Sequence, residues 1–235
     1  MQQKGKLYLI PNLLGGDAID IIPQEVVEAI QQINEYIVEN ERNARRYLIK
    51  LGIKTPIDDL TFHVLDKHKK HIGIDAFLTN AIGGNSIGLI SDAGSPAVAD
   101  PGALVVAAAH RKGLLVQPLV GPSSILLSLM GSGLNGQQFT FHGYLPIEPA
   151  ARTQKIRFLD KLIEKEGYTH IFIETPYRNN KLLEGLLQHA SKHTRLCIAT
   201  DITLPTEEII TQSIAKWKSQ KIDLHKRPTI FLLGK

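Results

Sequence analysis

Apolar residues in this chain fall into short unbroken runs and into stretches spaced for a helix, and the two kinds alternate. Leu7-Tyr8-Leu9-Ile10, closed by Pro11, predicts a buried strand over 6–10, followed by a loop through Gly15-Gly16-Asp17. After Pro23, Val26, Val27, Ile30 and Ile33 repeat at helical spacing and predict a helix over about 23–33, with a strand over 35–38. Arg42 to Leu51 reads as a helix stopped by Gly52, and Asp75 to Ile82 as another stopped by Gly83-Gly84. Ile87 to Ile90 is a strand, Ser91 to Pro101 a loop, and Gly102 to Arg111 an apolar helix ended by Lys112-Gly113. Leu114 to Val120 is the next strand, and Gly121-Pro122-Ser123-Ser124 opens a helix through Met130. Strand, loop and helix thus occur twice in succession, which predicts a parallel α/β sheet.

A second set of elements follows Gly143-Tyr144-Leu145-Pro146, which reads as a hinge. It comprises the charged segment Arg152 to Lys165, a strand over 169–173, a helix over 179–190 and a strand over 195–200. A helix near Ile209 to Trp217 and a closing strand over 229–233 complete it. Two α/β domains are expected, 1–120 and 121–235.

Composition narrows the class. At 235 residues and 43% hydrophobic, the chain can bury a substantial core. A net charge of +4 permits a nucleic-acid partner without requiring one. The single cysteine, Cys197, sits in an apolar run and points to reducing surroundings, and no apolar stretch reaches the length of a membrane span. Pro11 and Asn12 cut the first apolar run too short for a secretory segment, so a soluble, cytoplasmic protein is expected.

Among the motifs, Ser91-Asp92-Ala93-Gly94-Ser95-Pro96 with Asp100-Pro101-Gly102 stands just outside the carboxyl end of a strand, where open α/β sheets bind ligands. The same spacing also suits a tight turn in which Asp100 caps a helix. Gly121-Pro122-Ser123-Ser124 fits either a carboxylate site at a helix start or an ordinary N-cap. Gly131 to Gly136 matches the GxGxxG spacing but follows a helix, which excludes a nicotinamide site. His63, His68 and His71, with Asp66, match no compact metal-ligand spacing and lie among lysines. Arg42, Arg45 and Arg46, with Lys67, Lys69 and Lys70, form a basic group able to contact phosphates or simply to face solvent.

These motifs, taken in order, resemble the tetrapyrrole-methylase superfamily, most closely its branch of small-subunit ribosomal RNA methyltransferases. The likeness spans Leu7 to Pro11, Leu89 to Pro96 with Asp100 to Gly102, Pro118 to Ser123, Ser132 to Leu134, Phe139 to Pro146, Ile171 to Glu174 and Pro228 to Phe231. It implies a two-domain tetrapyrrole-methylase-like fold with an inter-domain cofactor cleft, an S-adenosylmethionine-dependent methyltransferase, and a homodimer acting on ribosomal RNA or the small ribosomal subunit. By position, Pro11, Ala93, Gly94, Ser95, Val98, Ser123, Ser124, Glu174 and Thr229 are the implied cofactor residues, and Arg42, Arg45 and Arg46 face the substrate. No metal is implied, because a sulfonium methyl group is already activated and catalysis is chiefly positioning. If the acceptor is a ribose 2'-hydroxyl, Glu39, Glu41 and Asp92 are the carboxylates available to take its proton. The chain departs from the branch at Pro11 to Asp17, at Glu39-Asn40-Glu41-Arg42 and at Ala199 to Leu204. A tetrapyrrole or other small acceptor, or a non-catalytic ribosome-associated role, are the competing readings.

Overall fold

The computed structural model describes residues 4–65 and 73–235. Asp66, His68, His71, Lys67, Lys69 and Lys70 lie outside them. The chain divides into two compact units, Met1–Ser123 and Ser124–Lys235.

In the first unit, strands β1 (Lys6–Ile10), β2 (Glu35–Val38), β3 (Thr61–Val64), β4 (Ile87–Ile90) and β5 (Leu115–Pro118) form one parallel sheet in the order β3-β2-β4-β1-β5. Helices α1 (Gln24–Ile30) and α2 (Glu41–Lys50) pack with Ile10, Tyr36 and Val38 on one face. Helices α3 (Ile74–Phe77), α4 (Thr79–Ile82) and α5 (Gly102–Arg111) lie with Leu7, Leu9, Ile37 and Leu89 on the other. Both faces of β1, β2 and β4 are covered, so these central strands read as apolar runs and were legible. The sequence does not predict β3, a partly exposed edge strand whose Thr61-Phe62-His63-Val64 is no apolar run. Gly88 makes room for the buried Tyr36 ring, since a Cβ there would lie 2.8 Å from Tyr36 Cδ1. The Tyr36 hydroxyl donates to the carbonyl of Ile33 at 3.0 Å.

Neighbouring strands β1 and β4 send their following helices to opposite faces of the sheet: α1 packs on one side and α5 on the other. The loops leaving their carboxyl ends therefore part at a topological switch point.

In the second unit, β6 (Phe139–Tyr144), β7 (Thr169–Ile173), β8 (Arg195–Thr200), β9 (Glu208–Ser213) and β10 (Thr229–Gly234) form a mixed sheet ordered β6-β7-β10-β8-β9. Only β6 and β7 run parallel; the other pairs are antiparallel. Helices α6 (Ser124–Ser132), α7 (Pro149–Glu166), α8 (Asn179–His189) and α9 (Ile214–Trp217) accompany it. Phe172, Ile198 and Phe231 pack with Ile156, Leu159, Leu186 and Trp217 in its core.

Two expectations are corrected here. The helix expected near Ile209 to Trp217 is mostly strand: Glu208 to Ser213 pairs along all of β8, and only Ile214 to Trp217 is helical. The β-branched run Ile209-Ile210-Thr211 favours a pleated surface, and Ser213 starts the helix by accepting a hydrogen bond from the Lys216 amide. The hinge expected at Gly143 to Pro146 is the end of β6 inside the second unit, where Gly143, at φ 62°, lies within a register shift against β7. Arg152, the first residue of the charged segment, is buried against Gly185 of α8.

Between β6 and β7, His142 Nε2 lies 3.0 Å from His170 Nδ1, and His170 Nε2 is buried without a partner among the described residues. Burial, then the charge of Lys155 and the neighbouring His170, push His142 down to about 4. Burial and Lys155 also lower His170, against an opposing pull from Glu166. The folded chain thus binds fewer protons than the unfolded one in this window, so stability rises with pH. Thermal midpoints are expected to fall as pH drops from 6.5 towards about 4, and His142→Gln should flatten that fall. A wild-type midpoint that is flat across this window rejects the assignment.

Candidate functional site

The loops after β1 and β4 are tied together. Asn12 and Gly94 exchange backbone hydrogen bonds of 2.9 and 3.2 Å. The buried Asn12 side chain donates to the carbonyls of Ser91 at 2.9 Å and Asp92 at 3.3 Å, while its oxygen accepts from the Leu13 amide at 2.8 Å. One side chain therefore sets the relation of both loops, and the sequence marked it by nothing more than a polar residue after proline. Tyr47 of α2 adds a 2.5 Å hydrogen bond to the Pro11 carbonyl, and burial raises its phenol above the ordinary range.

Past Asp92 the backbone is forced into the left-handed region three times, at Gly94 (φ 67°), Ala97 (φ 67°) and Ala99 (φ 61°). For the two alanines this conformation costs about 1–3 kcal/mol each unless something holds it. Asp100 does so: its carboxylate accepts from Ala97 N at 2.9 Å and from Gly102 N at 2.6 Å. Gly102 carries no side chain because a Cβ would stand 2.8 Å from that carboxylate. Asp100 is thus the brace of the loop, while Ala93 is exposed and Val98 is 48% exposed on it.

The loop after β5 closes on the same place. Ser95 Oγ lies 3.5 Å from the Pro122 carbonyl, and Gly121 packs so closely on Pro11 that a Cβ would fall 2.1 Å from Pro11 Cβ. Gly121→Ala is accordingly expected to push the two loops apart, costing about 1–3 kcal/mol as overpacking does. Denaturant unfolding checks it, and an unchanged midpoint rejects the close contact.

A cavity of about 260 Å³ opens beside these loops, lined among others by Asn12, Gly15, Gly16, Asn43, Arg46 and Asp92. The three expected carboxylates are not equivalent there. Glu39 accepts a hydrogen bond from the Asp92 amide at 3.0 Å, and Glu41 is held by Arg45 Nε at 2.8 Å. Asp92 lines the cavity, its carboxylate accepting from Asn43 Nδ2 at 3.2 Å. The arginines differ too. Arg45 is engaged by Glu41, by Asp58 and by the face of Phe62, whereas Arg42 and Arg46 are exposed without hydrogen bond or ion pair among the described residues. His63 is bonded to Glu35 and stacked on Phe77, away from this cavity.

In the second unit, Ser124 begins α6. The pairing of Ile230 with Ile173 sets Thr229 beside Glu174 at one end of β10 and β7. Glu174 is buried and already bound, to Arg178 at 2.6 Å and to the Thr175 amide, and Thr229 Oγ1 donates to the Arg227 carbonyl. Arg227 in turn holds Asp201, which sits with Thr203 in the left-handed region (φ 51° and 73°). The changed segment after β8 is thus a braced turn.

No protein-family model matches the chain. Individual proteins do. It is 31% identical over 222 residues, 94% of its length and 77% of the relative's, to ribosomal RNA small subunit methyltransferase I of Xylella fastidiosa (strain Temecula1). The protein of that name from Vibrio cholerae is 31% identical over 212 residues, 89% of this chain and 69% of the relative. The chain belongs to the ribosomal RNA small subunit methyltransferase I family. Among solved structures, the methyltransferase CobJ superposes with a TM-score of 0.64 at 17% identity, covering 98% of this chain and 94% of its own. Uroporphyrin-III-C-methyltransferase from Thermus thermophilus gives 0.60 at 16%, covering 99% and 95%. These two establish the fold, that of the tetrapyrrole methylases with two sheet-containing domains.

As a member of the ribosomal RNA small subunit methyltransferase I family, the chain is an S-adenosylmethionine-dependent methyltransferase. The loop after β4 suits such a cofactor. The amides of Ala93 and Ser95 have no acceptor among the described residues, which leaves donors for a purine or a carboxylate beside the exposed apolar groups of Ala93 and Val98. Among the described residues no helix is long and apolar enough to cross a membrane.

Proposed function

We propose that this enzyme methylates a ribose 2'-hydroxyl of small-subunit ribosomal RNA, with Asp92 as the proton acceptor. S-adenosylmethionine, when bound, supplies a methyl group already activated for displacement. Pro11, Ala93, Gly94, Ser95, Val98 and Ser123 are the first-unit residues proposed to hold it, and Ser124, Glu174 and Thr229 those of the second. Glu174, bound to Arg178, acts in this reading by ordering its turn.

One observation carries the reading: Asp92 stands in the loop two residues past β4, and it lines the cavity together with Arg46. Proton acceptance by a positioned carboxylate contributes about 10²–10⁴-fold. Asn43 orients the Asp92 carboxylate and Glu39 fixes its backbone, so each has a positioning role. Glu41, tied to Arg45, shapes α2. Arg42 and Arg46 are the cations available to RNA, and Arg45 supports them. A homodimer working in the cytoplasm completes the proposal.

The test has two steps. Calorimetry with S-adenosylmethionine comes first, then methyl-labelled cofactor with small ribosomal subunits from a strain lacking this gene. Label in a ribose of the ribosomal RNA establishes the reading. Cofactor binding without RNA label turns the assignment to a small acceptor or a non-catalytic role.

A further inference from the structure

Arg45 and Arg46 are adjacent in sequence and opposite in condition. Arg45 has two carboxylates, a carbonyl and an aromatic face; Arg46 has no partner among the described residues and lines the cavity. Leu14, Gly15 and Gly16 line the same cavity, and their amides also donate to nothing among the described residues. Gly16, at φ 65°, turns the chain there, the kind of bend in which successive N–H groups converge on an anion. The second cation of the wall, Lys50, is held by Asp17.

We propose that this cavity is a subsite for one phosphodiester group of the RNA backbone, with Arg46 and the amides of residues 14–16 as its donors and Lys50 recruited from Asp17. The inference rests on the RNA reading of the same site. Charge supports it: the lining carries two cations, Arg46 and Lys50, against one carboxylate, Asp92, and Asp17, which holds Lys50, stands outside the lining. The Asp17 side chain is 82% exposed, and an ion pair so placed is worth little, so water readily replaces it. At about 260 Å³ the cavity has room for a sugar–phosphate fragment. A phosphate fixed there would sit on the cavity that Asp92 lines, which gives the subsite a positioning role for the neighbouring ribose.

The probe is a labelled single-stranded ribo-oligomer of mixed sequence, titrated into the full chain by fluorescence anisotropy over a salt series, beside the same oligomer with uncharged methylphosphonate linkages. Arg46→Met is expected to make the dependence of log affinity on log salt shallower by about 0.7, one phosphate contact to a single strand. Asp17→Asn should tighten binding about two- to fivefold at low salt, the size of one exposed ion pair. Neither variant should alter binding of the uncharged oligomer or of S-adenosylmethionine. An unchanged salt slope for Arg46→Met overturns the subsite, and so does an equal loss of cofactor affinity, which would give the cavity to the cofactor's carboxylate. Both variants lie on the surface, and Arg46→Gln repeats the slope measurement with a polar side chain in place. Failure of the wild type to label ribosomal RNA would sink the proposed acceptor while leaving this slope readable.

Discussion

Asp92→Asn is expected to lower the rate of methyl transfer about 10²–10⁴-fold while leaving S-adenosylmethionine affinity unchanged. The substitution is close to isosteric. Asparagine keeps an oxygen for the 3.2 Å hydrogen bond from Asn43, and the backbone contact to Glu39 is untouched, so what is lost is the capacity to accept a proton. Single-turnover transfer from labelled cofactor at saturating substrate isolates the chemical step. Glu41→Gln, at a carboxylate engaged by Arg45, should have a far smaller effect on that step. Equal losses at the two positions would remove Asp92 from the role proposed for it.

The second large effect is expected from Asn12→Ala. Truncation strips buried partners from the Ser91 carbonyl and the Leu13 amide, each bonded at less than 3 Å. Leaving a buried polar group unmet costs about 1–3 kcal/mol. The functional loss should be larger than the stability loss suggests, because the loops after β1 and β4 are registered through this residue, and a displacement of about 1 Å near reacting atoms costs about 10²-fold. Urea unfolding and methyl transfer, measured on one preparation, separate the two. A drop in stability with full activity would show that the loops hold register without Asn12.

The central strands of the first unit were legible because they are buried on both sides, whereas the edge strand β3, partly exposed, was not. Leu7, Leu9, Ile10 and all of Ile87 to Ile90 are buried, so their runs are apolar throughout, and the loop of small residues, proline and aspartate between β4 and α5 punctuates them. The second unit was harder to read. Strand β9 lies at a sheet edge, partly exposed along its length, and Ile209-Ile210 followed by Ile214 and Trp217 imitates helical spacing. The site shows the same division. Loop 91–102 announces itself through small residues, but the sequence does not reveal that Asp100 braces two left-handed alanines or that Gly121 lies against Pro11, since these are contacts between distant segments. Nor does composition distinguish Arg45 from Arg46; their difference arises from which way α2 turns each one.

The position of β10 has a consequence for how the chain is made. Strands β7 and β8 do not touch one another; each pairs with β10, which lies between them and follows both in the order of synthesis. A growing polypeptide halted before Thr229 already contains every strand of its first sheet, so that half can close while translation continues. Phe172 and Ile198, by contrast, lack the strand that joins their neighbours until it emerges. Until β10 leaves the exit tunnel, the apolar faces of β7 and β8 stay without the strand that joins them, and a chaperone has something to hold.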